Sequence, residues 1–187
     1  PSICIVGLGY VGLPLAYTFA KAGYSVTGFD INEGRVSELT SGHDSTNEVT
    51  GKELQSVSIN FTTDPSAMSG CNIVILAIPT PVDDQKKPDL TPLQKASETV
   101  GSNISKGAIV VYESTVYPGV TEDVCGKILE EKSGMKCGED FFLGYSPERV
   151  NPGDKEHTID KIIKIVSGQD EKTMDTLCDL YGSIVTA

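Results

Sequence analysis

Short apolar runs alternate along the chain with longer segments in which apolar residues recur at helical spacing. Apolar runs of about four to eight residues indicate strands, and apolar positions at i, i+3, i+4 and i+7 indicate amphipathic helices. The pattern predicts strands at residues 2–6, 25–29, 58–61, 72–78, 108–112 and 142–145, and a last short strand at 161–166. It predicts helices at residues 11–22, 33–40, 91–102, 121–133 and 171–181.

The order of these elements indicates the fold class. Strands that alternate with helices form βαβ units and a parallel sheet. Several predicted strands, residues 72–78 above all, are too apolar to be half exposed, as expected when helices cover both faces of a sheet. We therefore expect an α/β fold with a doubly wound, mainly parallel sheet and helices on both faces. The length of 187 residues favours a single domain.

One segment, residues 79–92, continues neither periodicity. Its four prolines are joined by five charged residues, at Asp83, Asp84, Lys86, Lys87 and Asp89. This composition predicts a long loop. The loop follows the carboxyl end of a very apolar strand, where open α/β sheets bind their ligands. It is either a solvated connection or a wall of a ligand site, and its position favours the second interpretation.

The charge balance disfavours one class of partner. Fifteen Lys and Arg residues against 26 Asp and Glu residues give a net charge of −11, which repels nucleic acids. The longest apolar run, residues 73–78, is far shorter than the roughly 20 residues that a membrane helix needs. We expect no membrane segment, and the absence of a basic, signal-like start predicts a cytosolic protein.

The five cysteines predict neither a disulfide framework nor a metal site. They are widely spaced and none belongs to a C-x-x-C pair, so reduced thiols in or near the core are expected. The chain begins at Pro1 without a methionine and ends at Ala187 in an apolar stretch, which predicts a piece of a longer protein.

A glycine motif follows the first predicted strand directly. Gly7, Gly9 and Gly12 form G-x-G-x-x-G between strand 2–6 and helix 11–22. In a dinucleotide-binding turn the first glycine permits the tight turn, the second lets the backbone approach a pyrophosphate, and the third lets helix and strand pack closely. The amides at the start of the helix then attract the phosphates. The motif has the strand–turn–helix context that this mechanism requires.

An acidic residue stands where such a domain binds ribose. Asp30 ends the second predicted strand, 18 residues after Gly12, close to the ~20 expected of the ribose-binding acid. A carboxylate there repels a 2′-phosphate, so NAD is favoured over NADP. Asp30 could instead cap the next helix, although Asn32 competes for that role. Arg35 either stacks on the adenine or indicates a 2′-phosphate.

Six sequence strings, in this order, resemble the UDP-glucose/GDP-mannose dehydrogenase family over nearly the whole chain. They are GLGYVGLPLA, GFDIN, PTP, PDLTPL, ESTVYPGVT and YSPERVNPGD. The resemblance implies a Rossmann-type NAD-binding domain, residues 1–187, of a homodimeric enzyme that oxidises the C6 hydroxyl of a nucleotide sugar to a carboxylate with two NAD. In the family a later domain binds the nucleotide and supplies a cysteine nucleophile in a G-G-x-C segment. A central helix of the family supplies the dimer contact, and we expect that helix and the later domain to be absent here. No cysteine here lies in a G-G-x-C segment, so we expect the covalent half of the chemistry to be absent as well.

The resemblance also assigns site residues. The pyrophosphate turn comprises Gly7, Gly9, Tyr10, Val11 and Gly12, and the adenosine contacts are Asp30 and Arg35. The nicotinamide side comprises Thr80, Pro81, Ser114 and Thr115, and the candidate substrate contacts are Glu148, Arg149, Val150 and Asn151. Thr115 and Glu148 are the candidate catalytic residues. Glu148 matches the acid that assists hydrolysis of the family's thioester intermediate, unless it is a solvated acid or pairs with Arg149.

One departure from the family pattern bears on the substrate. UDP-glucose enzymes usually carry a second glutamate four residues after the one in SPER, and Pro152 stands there. SPERVNPGD instead resembles the branch that acts on UDP-N-acetylhexosamines in polysaccharide synthesis. A UDP-glucose 6-dehydrogenase, a stand-alone NAD-binding regulatory module and a β-hydroxyacid dehydrogenase stay as alternatives. The EST and SPER strings count against the last two.

Overall fold

A computed structural model describes residues 1–82, 84–113, 119–147 and 164–185. Within these residues the chain forms one seven-stranded sheet in the order β3-β2-β1-β4-β5-β6-β7. Every neighbouring pair is parallel except β6–β7, which is antiparallel. The strands are β1 (Ser2–Val6), β2 (Ser25–Phe29), β3 (Ile59–Thr62), β4 (Ile73–Leu76), β5 (Ile109–Tyr112), β6 (Phe142–Tyr145) and β7 (Ser167–Gly168). The predicted mainly parallel, doubly wound sheet is confirmed.

Helices cover both faces of the sheet. The α-helices are α1 (Gly12–Lys21), α2 (Glu33–Thr40), α3 (Gly51–Ser56), α4 (Thr91–Gly101), α5 (Lys127–Ser133) and α6 (Glu171–Gly182). Successive side chains of a strand point to opposite faces. Ile3 and Ile5 of β1 accordingly join a core with α1 and α6, whereas Cys4 and Val6 join a second core with α4 and α5. Two layers of apolar burial therefore hold the sheet between its helices.

The last predicted strand, residues 161–166, is wrong in its position. Residues 161–163 lie outside the described residues, and residues 164–166 are not in a strand. The strand is instead Ser167–Gly168, which pairs with Tyr145 and Gly144. Gly168 is a weak strand former, but a Cβ there would lie 2.5 Å from the backbone nitrogen of Met174. Close packing of helix α6 therefore selects a glycine that strand propensity does not favour.

Two short elements were not predicted from periodicity, α3 and a 3₁₀ helix at Pro65–Gly70. The predicted helix at 121–133 is π-helical at Val120–Gly126 and becomes the α-helix α5 at Lys127. Helix α3 begins with a capping box, in which Thr50 and Glu53 each accept a hydrogen bond from the other's backbone N–H. The spacing of Thr50 and Glu53 is typical of a capping box and could have predicted the start of this helix.

All five cysteines lie within the described residues and are free thiols, as expected from their spacing. Among the helices that the structure describes, none is both long and apolar enough to cross a membrane.

Candidate functional site: a dinucleotide cleft

The glycine turn after β1 shows why each glycine is needed. Gly7 has φ +97°, and a Cβ there would lie 2.8 Å from the carbonyl oxygen of Ala77. A Cβ on Gly12 would lie 1.7 Å from the carbonyl oxygen of Gly7, so the turn and helix α1 pack backbone to backbone. A Cβ on Gly9 would meet no atom within 4 Å, because it points into open space. Gly7 and Gly12 therefore serve the fold, and Gly9 keeps room for a ligand.

The start of helix α1 is suited to an anion. Val11 precedes the helix without a side-chain cap, and the first turn carries no acidic residue. The first N–H groups of a helix have no intrahelical partner and form the positive end of its dipole. In α1 the Leu13 N–H donates to the Gly9 carbonyl at 3.2 Å and Pro14 has no N–H, so the helix offers mainly the positive end of its dipole. Gly9, Tyr10 and Val11 line an adjacent cleft, which places this end of the helix beside a site of ligand size.

Asp30 anchors the glycine turn from the end of β2. Its Oδ2 accepts a hydrogen bond from the Leu8 N–H at 2.9 Å, and its Oδ1 accepts one from the Asn32 N–H at 2.9 Å. The cap of α2 is Asn32, whose side chain accepts from the Arg35 N–H at 3.0 Å, so the alternative role of Asp30 as the cap is wrong. An ionised carboxylate has about four acceptor positions, so Asp30 can still accept from ribose hydroxyls.

Arg35 holds the next peptide group, which joins Leu8 to Gly9. Its Nε donates to the Leu8 carbonyl at 2.7 Å, and its Nη1 pairs with Glu38 at 2.5 Å and with Asp44 at 2.8 Å. The side chain is only 11% exposed and is not part of the cleft lining. Its Nη2 is buried and has no hydrogen-bond partner in the part of the chain that the structure describes. Arg35 therefore stabilises the glycine turn through the Leu8 carbonyl.

Asp44 fixes Arg35 through a dense set of hydrogen bonds. Its carboxylate also accepts from Thr46 and from the backbone N–H of Glu48 and Val49. Burial alone would raise the pKa of Asp44, but the hydrogen bonds from Thr46, Val49 and Arg35 lower it to about 2. Asp44 is therefore a carboxylate across the physiological pH range.

The cleft runs along the carboxyl edge of the sheet, between the glycine turn and the segment that leads from β4 into α4. Its volume is about 890 Å³, within the ~300–1,000 Å³ usual for cofactor and ligand sites. It is lined by Val6, Gly7, Leu8, Gly9, Tyr10, Val11, Phe29, Asp30, Ile31, Ala77, Ile78, Pro79, Thr80, Asp89, Thr91, Pro92, Lys95, Ala96, Thr99 and Glu113. The segment that the sequence predicted as a loop near a ligand does form one of its walls.

The cleft brings together most of the sequence-predicted cofactor residues that the structure describes. Those in its lining are Gly7, Gly9, Tyr10, Val11, Asp30 and Thr80. Gly12, Arg35 and Pro81 are not in the lining. Ser114, Thr115, Glu148, Arg149, Val150 and Asn151 lie outside the described residues.

Some cleft residues were missed from the sequence. Ile31 is 82% exposed beside Asp30, and an apolar side chain directly after the ribose-binding acid was the available signal. Thr91, Lys95 and Thr99 face the cleft from α4, where their spacing of four residues places them on one side of the helix. Glu113, directly after β5, lines the far end.

The residues present fit a dinucleotide. Gly9 leaves space beside the start of α1, and Asp30 offers acceptors to a ribose. The strand order 3-2-1-4-5-6 reverses direction at β1, and open α/β sheets bind dinucleotides across the crevice at that point. The fold and the cleft together define a Rossmann-type dinucleotide-binding domain.

The chain belongs to the UDP-glucose/GDP-mannose dehydrogenase family, whose NAD-binding-domain model matches residues 1–185. Protein CapL of Staphylococcus aureus is 54% identical over 186 residues, which are 100% of this chain and 44% of CapL. The UDP-N-acetyl-D-glucosamine 6-dehydrogenase of Pseudomonas aeruginosa is 53% identical over 99% of this chain and 44% of its own length. The solved UDP-D-ManNAc dehydrogenase of Pyrococcus horikoshii superposes with a TM-score of 0.90 at 34% identity, over 100% of this chain and 46% of that one.

These comparisons confirm the family resemblance and the cofactor. The chain is an NAD-binding domain, as the glycine motif and Asp30 predicted. It spans 44% of the length of Protein CapL and of the Pseudomonas aeruginosa enzyme.

Proposed function

We propose that NAD lies along the cleft with its adenosine at the β2 end and its nicotinamide above the carboxyl ends of β4 and β5. The position of Asp30 at the end of β2 supports this orientation, because a ribose-binding acid identifies the adenosine half. The pyrophosphate then falls between Gly9 and the start of α1. The nicotinamide half extends past Thr80 toward Glu113, both of which line the cleft.

The residue roles follow from this placement. Asp30 accepts hydrogen bonds from the ribose, the amides at the start of α1 bind the pyrophosphate, and Thr80 offers a hydroxyl to the nicotinamide side. Bound NAD supplies the hydride acceptor. Thr115 and Glu148 keep the roles that the family pattern implies, at the nicotinamide and as a general base toward water.

We infer that the whole protein oxidises the C6 alcohol of a UDP-N-acetylhexosamine to the uronic acid in polysaccharide precursor synthesis. The similarity to relatives named as UDP-N-acetyl-D-glucosamine 6-dehydrogenases, at 50% and 53% identity, supports an acetamido sugar over glucose. Pro152 in place of the second glutamate of the glucose enzymes supports the same choice. A cytosolic homodimer, with a sugar-nucleotide site completed by a further domain, is part of this proposal.

A substrate panel tests the proposal. The whole protein is assayed for NADH formation with UDP-N-acetylglucosamine, UDP-N-acetylmannosamine and UDP-glucose. A site built around the acetamido group leaves polar partners unpaired when glucose binds, so the acetamido sugars should have the higher kcat/KM. Faster turnover of UDP-glucose would assign the protein to the glucose branch.

The 187-residue chain is the matched control for that panel. It should bind NAD but produce no NADH with any UDP-sugar. Oxidation to the carboxylate requires a nucleophile to hold the intermediate aldehyde, and none of the five cysteines lies in a G-G-x-C segment. The sugar would also lose the positioning that a second cleft wall provides. Sustained NADH production by this chain would show that the chemistry lies elsewhere.

A further inference from the structure

A buried charged cluster lies under the β5 end of the cleft. Glu113 lines the cleft, yet its side chain is 0% exposed, and its carboxylate is bound by two other buried side chains. Lys164 Nζ lies 2.5 Å from Glu113 Oε2, and the Tyr181 hydroxyl donates to Glu113 Oε1 at 2.6 Å. The Lys164 side chain is 4% exposed, and its Nζ lies 5.7 Å from the centre of the Tyr181 ring. We call Glu113, Lys164 and Tyr181 the β5 cluster.

The β5 cluster joins parts of the chain that are distant in sequence. Lys164 stands 51 residues after Glu113, and Tyr181, on α6, stands 68 residues after it. Lys164 Nζ also lies 3.5 Å from the carbonyl oxygen of Pro147, just beyond β6. One ammonium group therefore contacts the residues that follow two neighbouring strands, β5 and β6, at the edge where the cleft lies.

The chemistry of the β5 cluster suits a fixed geometry. Burial and the neighbouring Glu113 carboxylate raise the pKa of Tyr181 well above its usual value, so its hydroxyl stays a donor. Removing two charges from water is costly, and well-packed apolar residues in place of a buried ion pair are often as stable or more stable. Stability alone therefore gives a weak reason to keep a buried pair against the wall of a cofactor cleft.

We propose that Lys164 and Tyr181 are positioning residues for the cofactor, which hold Glu113 and the carboxyl end of β5 in the place where the nicotinamide half of NAD binds. This inference rests on the proposed orientation of NAD in the cleft. Both residues act through Glu113, which is the member of the β5 cluster that lines the cleft. The β5 cluster should therefore affect the nicotinamide half of NAD and leave the adenosine half unaffected.

Two ligands separate the halves of the cofactor. ADP-ribose contains the adenosine, pyrophosphate and second ribose of NAD but lacks the nicotinamide. Titration calorimetry on the 187-residue chain should give an NAD affinity about 3- to 10-fold above that for ADP-ribose, the effect of one additional hydrogen bond or ring contact. Equal affinities in the wild-type chain would contradict the proposed orientation of NAD, and the inference with it.

The variants then test the β5 cluster itself. Tyr181→Phe removes one hydrogen bond, and Lys164→Met removes the buried ammonium. The double variant Glu113→Gln/Lys164→Met removes both charges, which protects the fold if the single lysine variant does not fold. Lys106→Met is the matched control, since Lys106 pairs with Asp140 before the amino end of β5 and is 78% exposed.

In Tyr181→Phe and in the double variant, we expect the affinity for NAD to fall to that for ADP-ribose, while the affinity for ADP-ribose stays at its wild-type value. Lys106→Met should keep both affinities. If the wild-type chain prefers NAD and the variants keep that preference, the inference is wrong although the orientation of NAD stands. An equal loss of both affinities, together with a lower melting temperature, would mean that the β5 cluster only stabilises the fold.

Discussion

The two ends of the cofactor cleft are each stabilised by a buried ion pair. One pair fixes a backbone loop, and the other fixes the residue that follows a strand. At the β2 end, where we propose that the adenosine binds, Arg35 pairs with Asp44 at 2.8 Å and donates to the Leu8 carbonyl, so it fixes a backbone loop. At the other end, Lys164 pairs with Glu113 at 2.5 Å, so it fixes the buried side chain of a residue in the cleft wall. The first pair therefore holds backbone groups in place, and the second holds the carboxyl end of β5.

The difference follows from what each half of the cofactor requires. A pyrophosphate is bound by N–H groups, so the peptides near it must keep one orientation. Both backbone groups of Leu8 are held, its N–H by Asp30 and its carbonyl by Arg35, so two successive peptide groups of the turn are fixed. The nicotinamide half, in the proposed orientation, instead needs a fixed wall at the carboxyl end of β5. The ion pair of Lys164 with Glu113 holds that end in place.

The largest effect should come from the glycine turn. The same substitution, glycine to valine, should impair folding at one position of the turn and NAD binding at another. Gly12→Val places a Cβ 1.7 Å from the Gly7 carbonyl oxygen, so it should cost more than about 3 kcal/mol of unfolding free energy. Gly9→Val should fold with near wild-type stability, since a Cβ there meets no atom, and should abolish NAD binding by filling the space for the pyrophosphate. Urea denaturation and calorimetry measure the two effects. Undiminished NAD affinity in Gly9→Val would remove the turn from the site.

Asp30→Ala should have a smaller effect, confined to the adenosine end. We expect NAD binding to weaken by roughly 1–3 kcal/mol, the range for hydrogen bonds to a charged group. The difference between the affinities for NAD and NADP should become smaller, because Asp30 no longer repels the 2′-phosphate of NADP. Asp64→Ala, which removes an exposed carboxylate after β3 outside the cleft lining, is the control. If the wild-type chain binds NADP as well as NAD, Asp30 does not set the cofactor preference.

An effect of similar size concerns the ion pair of Arg35 with Asp44, and it disappears at low pH. The pKa of Asp44 falls from 3.8 to about 2 on folding, so its ionised form stabilises the fold above pH 4, and this contribution disappears as the pH falls through 2. The contribution is about 2 kcal/mol. Asp44→Asn should lack it, so the unfolding free energies of wild type and variant should converge between pH 4 and pH 2. If the two curves of unfolding free energy against pH stay parallel, the charge of Asp44 does not hold Arg35.

The two ends of the cleft also differ in how far the sequence predicts them. Gly7, Gly9 and Asp30 were predicted because they lie within one βαβ unit, where strand, turn and helix follow each other directly. The contacts of Arg35 with Leu8 and Asp44 span only 27 and 9 residues, but the sequence does not reveal that its guanidinium faces the loop. That orientation depends on the fold of residues 42–50 around Asp44.

The β5 cluster was beyond prediction for a different reason. Lys164 lies among Ile162, Ile163 and Ile165, and this apolar pattern predicted a strand. The pattern does not indicate that the ammonium group of Lys164 is buried. Its partner Glu113 is 51 residues away. Only the pairing of β5 with β6 and the packing of α6 bring these groups together, and neither leaves a local pattern.

The orientation of NAD is the central claim, and a crystal structure of the chain with bound NAD tests it most directly. We predict that the adenosine ribose hydroxyls lie within hydrogen-bond distance of the Asp30 carboxylate, with the pyrophosphate beside Gly9 and the nicotinamide near Thr80 and Glu113. A nicotinamide bound beside Asp30 and Ile31, with the adenine above β5, would contradict the account.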